Sequence, residues 1–193
     1  MLKKNLRAVY KNKRKALTEE EFTIANTRLT AQFKATINLE KVKKAHCYLP
    51  IIRHREIDTW PIIEYLQAQG IAVVIPKSDF SNCSMRHFLL KQEQLKENEW
   101  GILEPTEEAQ EIQPRELDIV IVPLLAFDQK GYRVGYGKGF YDRFLNECNP
   151  NIIKIGLSLF PPVENIEDIN PFDEPLDQII CPNQIIIPTP KKP

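Results

Sequence analysis

The stretch Asp118-Ile119-Val120-Ile121-Val122-Pro123 places four consecutive β-branched apolar residues between an aspartate and a proline. Alternating polarity would mark a strand with one wet face. An unbroken apolar run marks a strand covered on both faces, the usual state inside a parallel sheet. Ile71-Ala72-Val73-Val74-Ile75, closed by Pro76, repeats the pattern, as do 45–49 before Pro50 and 151–159, and 85–90 reads as a further strand. Helical periodicities lie between and before these runs. Leu2, Leu6, Val9 and Tyr10 form one stripe over 2–16, and Phe22, Ala25, Leu29 and Phe33 another, behind the capping-box pair Thr18 and Glu21. Asp58-Thr59 is expected to cap a third helix that carries Pro61 in its first turn and stops at Gly70; a fourth is expected over 139–148. Strands alternating with helices predict an α/β fold: a three-layer open, mainly parallel sheet flanked by helices, Rossmann-like, with ligands at the carboxyl ends of the strands.

Glycine is where this chain departs most from the ordinary. It has only 7, and Gly131, Gly135, Gly137 and Gly139 fall within nine residues, downstream of the clearest strand and at the start of the fourth helix. Closely spaced glycines let backbone amides approach an anion, and a helix N-terminus adds donors and partial positive charge. Arg133 and Lys138 add full charges, and Asp142, in the first helical turn, is placed to hold Mg²⁺ beside a phosphate. The segment is not a P-loop, since Gly139 stands where the hydroxyl residue should follow Lys138. Nor is it a dinucleotide fingerprint, because Phe140 replaces the third glycine. Two readings stay open on these residues alone: a phosphate cradle, or a tight turn that lets chain segments cross.

The remaining composition narrows the classes. With 26 basic and 26 acidic residues and 42% hydrophobic content, the chain has the make-up of a folded soluble protein, and no apolar run nears the roughly 20 residues of a membrane span. The basic N-terminus lacks the apolar stretch of a signal peptide, so a cytoplasmic location is expected. Residues 1–44 hold 12 Lys/Arg against 4 Glu, which suits either an anionic partner or a solvated helix face. Neither the four cysteines nor His46, His54 and His87 have metal-site spacing, so free, mostly buried thiols and core or surface histidines are expected. Nine of 15 prolines lie at or beyond Pro150, so the last third should be extended and turn structure.

The run Phe127-Asp128-x-x-Gly131-x-Arg133-x-Gly135-x-Gly137-Lys138-Gly139-Phe140-Tyr141-Asp142 resembles the signature segment of the 5-formyltetrahydrofolate cyclo-ligases, also called methenyltetrahydrofolate synthetases. The resemblance covers essentially the whole chain. It includes the basic N-terminal helix, Glu56-x-x-Thr59, Trp100-Gly101-Ile102-x-x-Pro105 and the pair Asp173 and Asp177. It implies one domain over 1–193 with a frayed tail at 188–193. It also implies ATP as co-substrate, Mg²⁺ as cofactor, and ring closure of 5-formyltetrahydrofolate, in some cases polyglutamylated, to 5,10-methenyltetrahydrofolate through a phosphorylated formyl group. A monomer with no nucleic-acid or membrane partner is expected.

Residue by residue, the resemblance assigns ATP binding to Lys3, Arg7, Gly135, Tyr136, Gly137, Lys138, Gly139, Phe140, Tyr141 and Asp142, with Lys138 and Arg133 as the charge-neutralising catalytic groups. Lys3 and Arg7, four apart, share a helix face. Asp142 and Asp173 are the metal positions, with Asp177 as the alternative to Asp173. Glu56 is the substrate-binding carboxylate, a fit for the N–H fork of a pterin. Trp100 and Tyr141 either pack on the folate ring or belong to the core. Thr59 reads as a helix cap, and Lys4, Lys11, Lys13, Arg14 and Lys15 as surface charge. A small-molecule kinase using the same loop is the alternative activity; a nucleic-acid-binding module built on the basic helix is a third reading.

Overall fold

The computed structural model describes residues 1–98 and 101–188. The chain opens with helices α1 (Lys3–Ala16) and α2 (Glu19–Thr36). Then come β1 (Lys44–His46), α3 (Trp60–Ala68), β2 (Ala72–Asp79) and β3 (Ser84–Leu89). A hairpin of β4 (Leu95–Glu97) and β5 (Leu103–Pro105) precedes β6 (Ile119–Pro123). A second hairpin, β7 (Ala126–Phe127) and β8 (Arg133–Val134), leads through the glycine loop to α4 (Phe140–Glu147). The chain continues through β9 (Ile153–Leu157), β10 (Gln178–Ile180) and β11 (Ile185–Ile186).

Seven strands make one sheet in the order β11-β10-β9-β6-β1-β2-β3. The five inner strands are parallel, and the two edge strands, β3 and β11, run antiparallel to their neighbours. This is the three-layer α/β sheet that the apolar runs predict. Successive residues of β6 face opposite layers. Ile119 and Ile121 meet Leu29 and Phe33 of α2 and Ile62, Ile63 and Leu66 of α3. Val120 and Val122 meet Phe144 and Leu145 of α4 and Cys148 at its end. Burying each such large side chain contributes about 1.5–3 kcal/mol, so alternation along one strand ties both helical layers to the sheet. A third cluster packs Leu6 and Tyr10 of α1 against Leu125, Ala126, Tyr132 and Val134 of the second hairpin. That contact brings the basic helix to the glycine loop.

Some expectations needed correction. Thr18 and Glu21 form the capping box as read, but Thr59 does not cap α3 with its side chain. Its hydroxyl donates to the Tyr48 carbonyl at 2.7 Å, and Asp58 Oδ1 accepts the Trp60 N–H instead. The polar stretch after β3 holds a hairpin; the proline-rich third is extended and turn structure as expected, with β9, β10 and β11 joining the sheet. The expectation of mostly buried thiols holds: three cysteines are buried and Cys83 is half-buried. Trp100 lies outside the described residues, as do 189–193 of the expected tail, whereas Pro188 packs on Gly131. Among the described residues no helix is long and apolar enough to cross a membrane.

β1 has β2 on one side and β6 on the other, so strand progression reverses between β1 and β6. At such a switch point the loops leaving the two strands part, and a crevice opens at their carboxyl ends. The loop after β1 carries Glu56, and the chain after β6 carries the glycine loop.

Candidate active site

Glu56 is buried, and both carboxylate oxygens are engaged. Oε2 accepts the Ile51 N–H at 2.8 Å, and Oε1 accepts the phenol hydroxyl of Tyr136 from the glycine loop. The phenol oxygen is met from the other side by Arg14 Nη1 at 3.2 Å, while Arg14 Nη2 donates to the Leu124 carbonyl at 2.8 Å. Arg14 is thus not surface charge. It is 5% exposed and links α1, the end of β6 and the glycine loop. The spacing of Lys3, Arg7 and Arg14, four and then seven residues apart, is one helical stripe shared with buried Leu6 and Tyr10. That stripe was the available signal for an inward-facing arginine.

The glycines of the cluster are required for different contacts. Gly131 serves chain crossing: a Cβ there would lie 2.6 Å from the Leu176 carbonyl oxygen, and its φ is +86°. Gly137, at φ +96°, lets the Arg7 guanidinium lie flat on the loop, and Arg7 Nε donates to the Gly135 carbonyl at 3.0 Å. Gly139 precedes α4 without any side-chain cap, which leaves the first-turn amides of that helix free for an anion. Arg143 braces this turn by donating to the Lys138 carbonyl at 2.7 Å and to the Cys83 carbonyl at 2.9 Å. No sequence pattern singled it out. Lys138 is exposed, and its ammonium makes no ion pair among the described residues.

Asp142 and Asp173 come together from elements far apart in the chain. Both line a cavity of about 330 Å³ with Gly139, Arg143, Asn146, Asn170 and Phe172. Asp142 Oδ1 takes Arg133 Nη2 at 2.7 Å and the Glu174 N–H at 3.3 Å. Lys3 pairs with Asp173, whose oxygens also accept from the backbone and side chain of Asn170. Asp177 is elsewhere, accepting the Lys154 N–H at 2.7 Å. Arg133 is 8% exposed and its Nη1 donates to the Glu174 carbonyl. Burial lowers its pKa, against the opposing pull of Asp142 and Asp173.

Tyr141 packs edge-on to His46 and Phe144, with ring centroids 6.1 and 5.9 Å away, so its ring is core. Its buried hydroxyl has no hydrogen-bond partner among the described residues, and Glu56 and Arg133 are both within electrostatic range. Burial, with Cys47 and Glu56 nearby, raises its pKa well above the ordinary tyrosine value.

The profile of the 5-formyltetrahydrofolate cyclo-ligase family matches residues 1–182. The chain belongs to this family. It is accordingly an enzyme, a ring-closing ligase of folate one-carbon metabolism. Among its relatives, a Schizosaccharomyces pombe protein named "Probable 5-formyltetrahydrofolate cyclo-ligase" is 30% identical over 96% of this chain and 98% of its own length. The Haemophilus influenzae 5-formyltetrahydrofolate cyclo-ligase is 38% identical over 65% of this chain and 69% of its own. The fold agrees with two solved methenyltetrahydrofolate synthetases. The Aquifex aeolicus structure has a TM-score of 0.76 at 26% identity, covering 100% of this chain and 96% of that one. The Mycoplasma pneumoniae structure has a TM-score of 0.74 at 25% identity, covering 94% and 99%.

For this cyclo-ligase family member, the described residues among the positions assigned from sequence gather at the crevice beside β6 and in the cavity at Gly139. Lys3 and Arg7 reach across from α1; the loop 135–139 and Asp142 stand on one side, and Glu56 on the other. Arg53 is exposed, and Arg55 is drawn away to Glu19 and the Phe22 ring.

Proposed function

We propose that the chain converts 5-formyltetrahydrofolate to 5,10-methenyltetrahydrofolate with ATP and Mg²⁺, releasing ADP and phosphate, and that it does so as a cytoplasmic monomer. One observation carries this reading: the buried carboxylate of Glu56 and the glycine loop are in direct contact, through Tyr136. Transfer of a phosphoryl group between two ligands requires their sites to adjoin, and the Glu56–Tyr136 contact supports that arrangement.

In this reading the pterin N–H groups face Glu56, while the ATP phosphates lie on the 135–139 loop and the amides at the start of α4. The formyl oxygen is a poor leaving group until it takes the γ-phosphoryl; N10 then attacks the iminium carbon and phosphate departs. Lys138, exposed and uncommitted, neutralises charge on the transferring group. Lys3 and Arg7 hold the polyphosphate from the α1 side. Arg133 is bound to Asp142 and the Glu174 carbonyl, which gives it a positioning part. Asp142 and Asp173 fit a Mg²⁺ site: two carboxylates on one cavity wall suit an ion that takes one or two carboxylates and completes its shell with phosphate and water. Mg²⁺ held there would offset the negative charge of the transferring phosphate.

The test is the near-ultraviolet absorbance of the methenyl product, followed with 5-formyltetrahydrofolate, ATP and Mg²⁺. Wild type should produce it, and Lys138→Ala should lose about 10²–10³ in kcat while unfolding at the same denaturant concentration. Release of a stable phosphorylated product without ring closure would replace this reading with the kinase.

A further inference from the structure

Glu56 is 6% exposed, yet in the proposed function it must receive a flat heterocycle. Its two oxygens are held by the Ile51 N–H and the Tyr136 hydroxyl. The first is a backbone group of the same loop. The second comes from the glycine loop, across the crevice, on a residue that is itself 37% exposed. Tyr136 sits beside the His54 ring at 5.7 Å and beneath the Lys11 ammonium at 5.3 Å. It stands between Gly135 and Gly137, so the backbone on either side can rotate at little steric cost. The carbonyl of Gly135 is tied to Arg7 Nε at 3.0 Å, and the Arg7 guanidinium lies against Gly137. The phenol that caps Glu56 is therefore flanked by the backbone that Arg7 clamps.

We propose that Tyr136 is a latch that makes the two substrates bind cooperatively: in the empty enzyme its hydroxyl occupies Glu56, and nucleotide, by drawing Arg7 onto its phosphates, frees the loop so that the phenol yields the carboxylate to the folate. This rests on the substrate assignments of the preceding subsection. Arg14 defines the closed state, since its Nη1 bonds the same phenol oxygen from a buried, fixed position. The latch acts through a hydrogen bond to a charged acceptor, an interaction worth roughly tenfold or more in an equilibrium constant. By linkage, folate should tighten nucleotide binding by the same factor.

Tyr136→Phe removes the hydroxyl and keeps the ring. Calorimetric titration of the full-length protein with 5-formyltetrahydrofolate, alone and with a saturating non-hydrolysable ATP analogue and Mg²⁺, reads the latch directly. Wild type should bind folate several-fold tighter when the analogue is present. Tyr136→Phe should bind folate alone about tenfold tighter than wild type does, with the analogue then making little difference. A purely structural role for the hydroxyl predicts weaker binding, the opposite sign. Equal or weaker folate binding by the variant, or wild-type coupling retained in it, overturns the latch and leaves the assigned activity standing. A wild-type enzyme that binds no 5-formyltetrahydrofolate overturns both. The lost bond to buried Glu56 should lower the variant's folding constant by about the same tenfold factor, and a single cooperative urea transition at a somewhat lower midpoint verifies that it is still folded when titrated.

Discussion

Arg133 Nη2 and Asp142 Oδ1 meet at 2.7 Å across nine residues of chain, the arginine on β8 and the aspartate in the first turn of α4. The pair closes the glycine loop on itself. Each end has a second tie to the same residue: Arg133 Nη1 donates to the Glu174 carbonyl, and the Glu174 N–H donates to Asp142. The two ends of the glycine loop, the start of α4 and the Glu174 backbone are thereby tied together, while these bonds leave the residues between the ends free to move.

Arg133→Ala should cost about 1–3 kcal/mol of stability, because it empties a buried guanidinium site and leaves the half-buried Asp142 carboxylate and the Glu174 carbonyl without their donor. Asp142→Asn should cost less stability, since the amide oxygen still accepts from Arg133, but it should abolish most turnover if Asp142 holds Mg²⁺. Urea denaturation beside the absorbance assay separates the two effects. Equal destabilisation by both variants would contradict the assignment of the pair.

Two glycines of the cluster should respond oppositely to alanine. At Gly131 the new Cβ would meet the Leu176 backbone oxygen at 2.6 Å in a left-handed conformation, so a loss of about 2 kcal/mol or more is expected. At Gly135 the φ is not positive and a Cβ meets nothing within 4 Å, so the folding midpoint should stay within about 0.5 kcal/mol. Denaturant midpoints of the two single variants check the contrast, whatever happens to activity.

Acid should destabilise the fold through a buried histidine pair. His87 Nδ1 and His46 Nε2 lie 3.2 Å apart beneath α4, with the His87 ring stacked on Phe144 at 4.0 Å. Burial holds His87 down to about 4 and His46 well below the ordinary histidine value, the latter with added repulsion from His87; Glu111 pulls His87 the other way. Both are neutral in the native state, so the unfolded chain binds more protons below its own pKa of about 6.5. The stability they contribute is complete above that pH. It falls as pH drops towards 4, by about 2 kcal/mol for His87 at pH 5. Urea midpoints at pH 7, 6 and 5 should show the decline, and His87→Leu should flatten it. A pH-independent midpoint across that range would rule the pair out as its source.

Much of the fold was legible because its signals are local. The apolar run of β6 declared a strand buried on both faces, and the capping box at Thr18 declared the start of α2. The glycine cluster declared a special backbone, and a resemblance spread along the chain named the family. What stayed hidden depends on partners distant in sequence. Thr59 carries the composition of a cap, but a carbonyl eleven residues upstream competes for its hydroxyl and wins. Gly131 and Gly137 look alike in a string of letters; Leu176 and Arg7 give them different reasons to be glycine.

Residue types and periods alone determined the α/β class and the order of the main elements, and marked 131–139 as special backbone, since propensity, apolar spacing and glycine's freedom act within a few residues. Only the tertiary structure decided that Asp173 and not Asp177 shares a cavity with Asp142. It also decided that Arg14 is buried and that Glu56 is held by Tyr136. Those outcomes follow from strand order. With β1 and β6 adjacent at the switch point, loops separated by 80 residues of chain must meet, and a hydrogen bond across that gap leaves no mark in the local sequence.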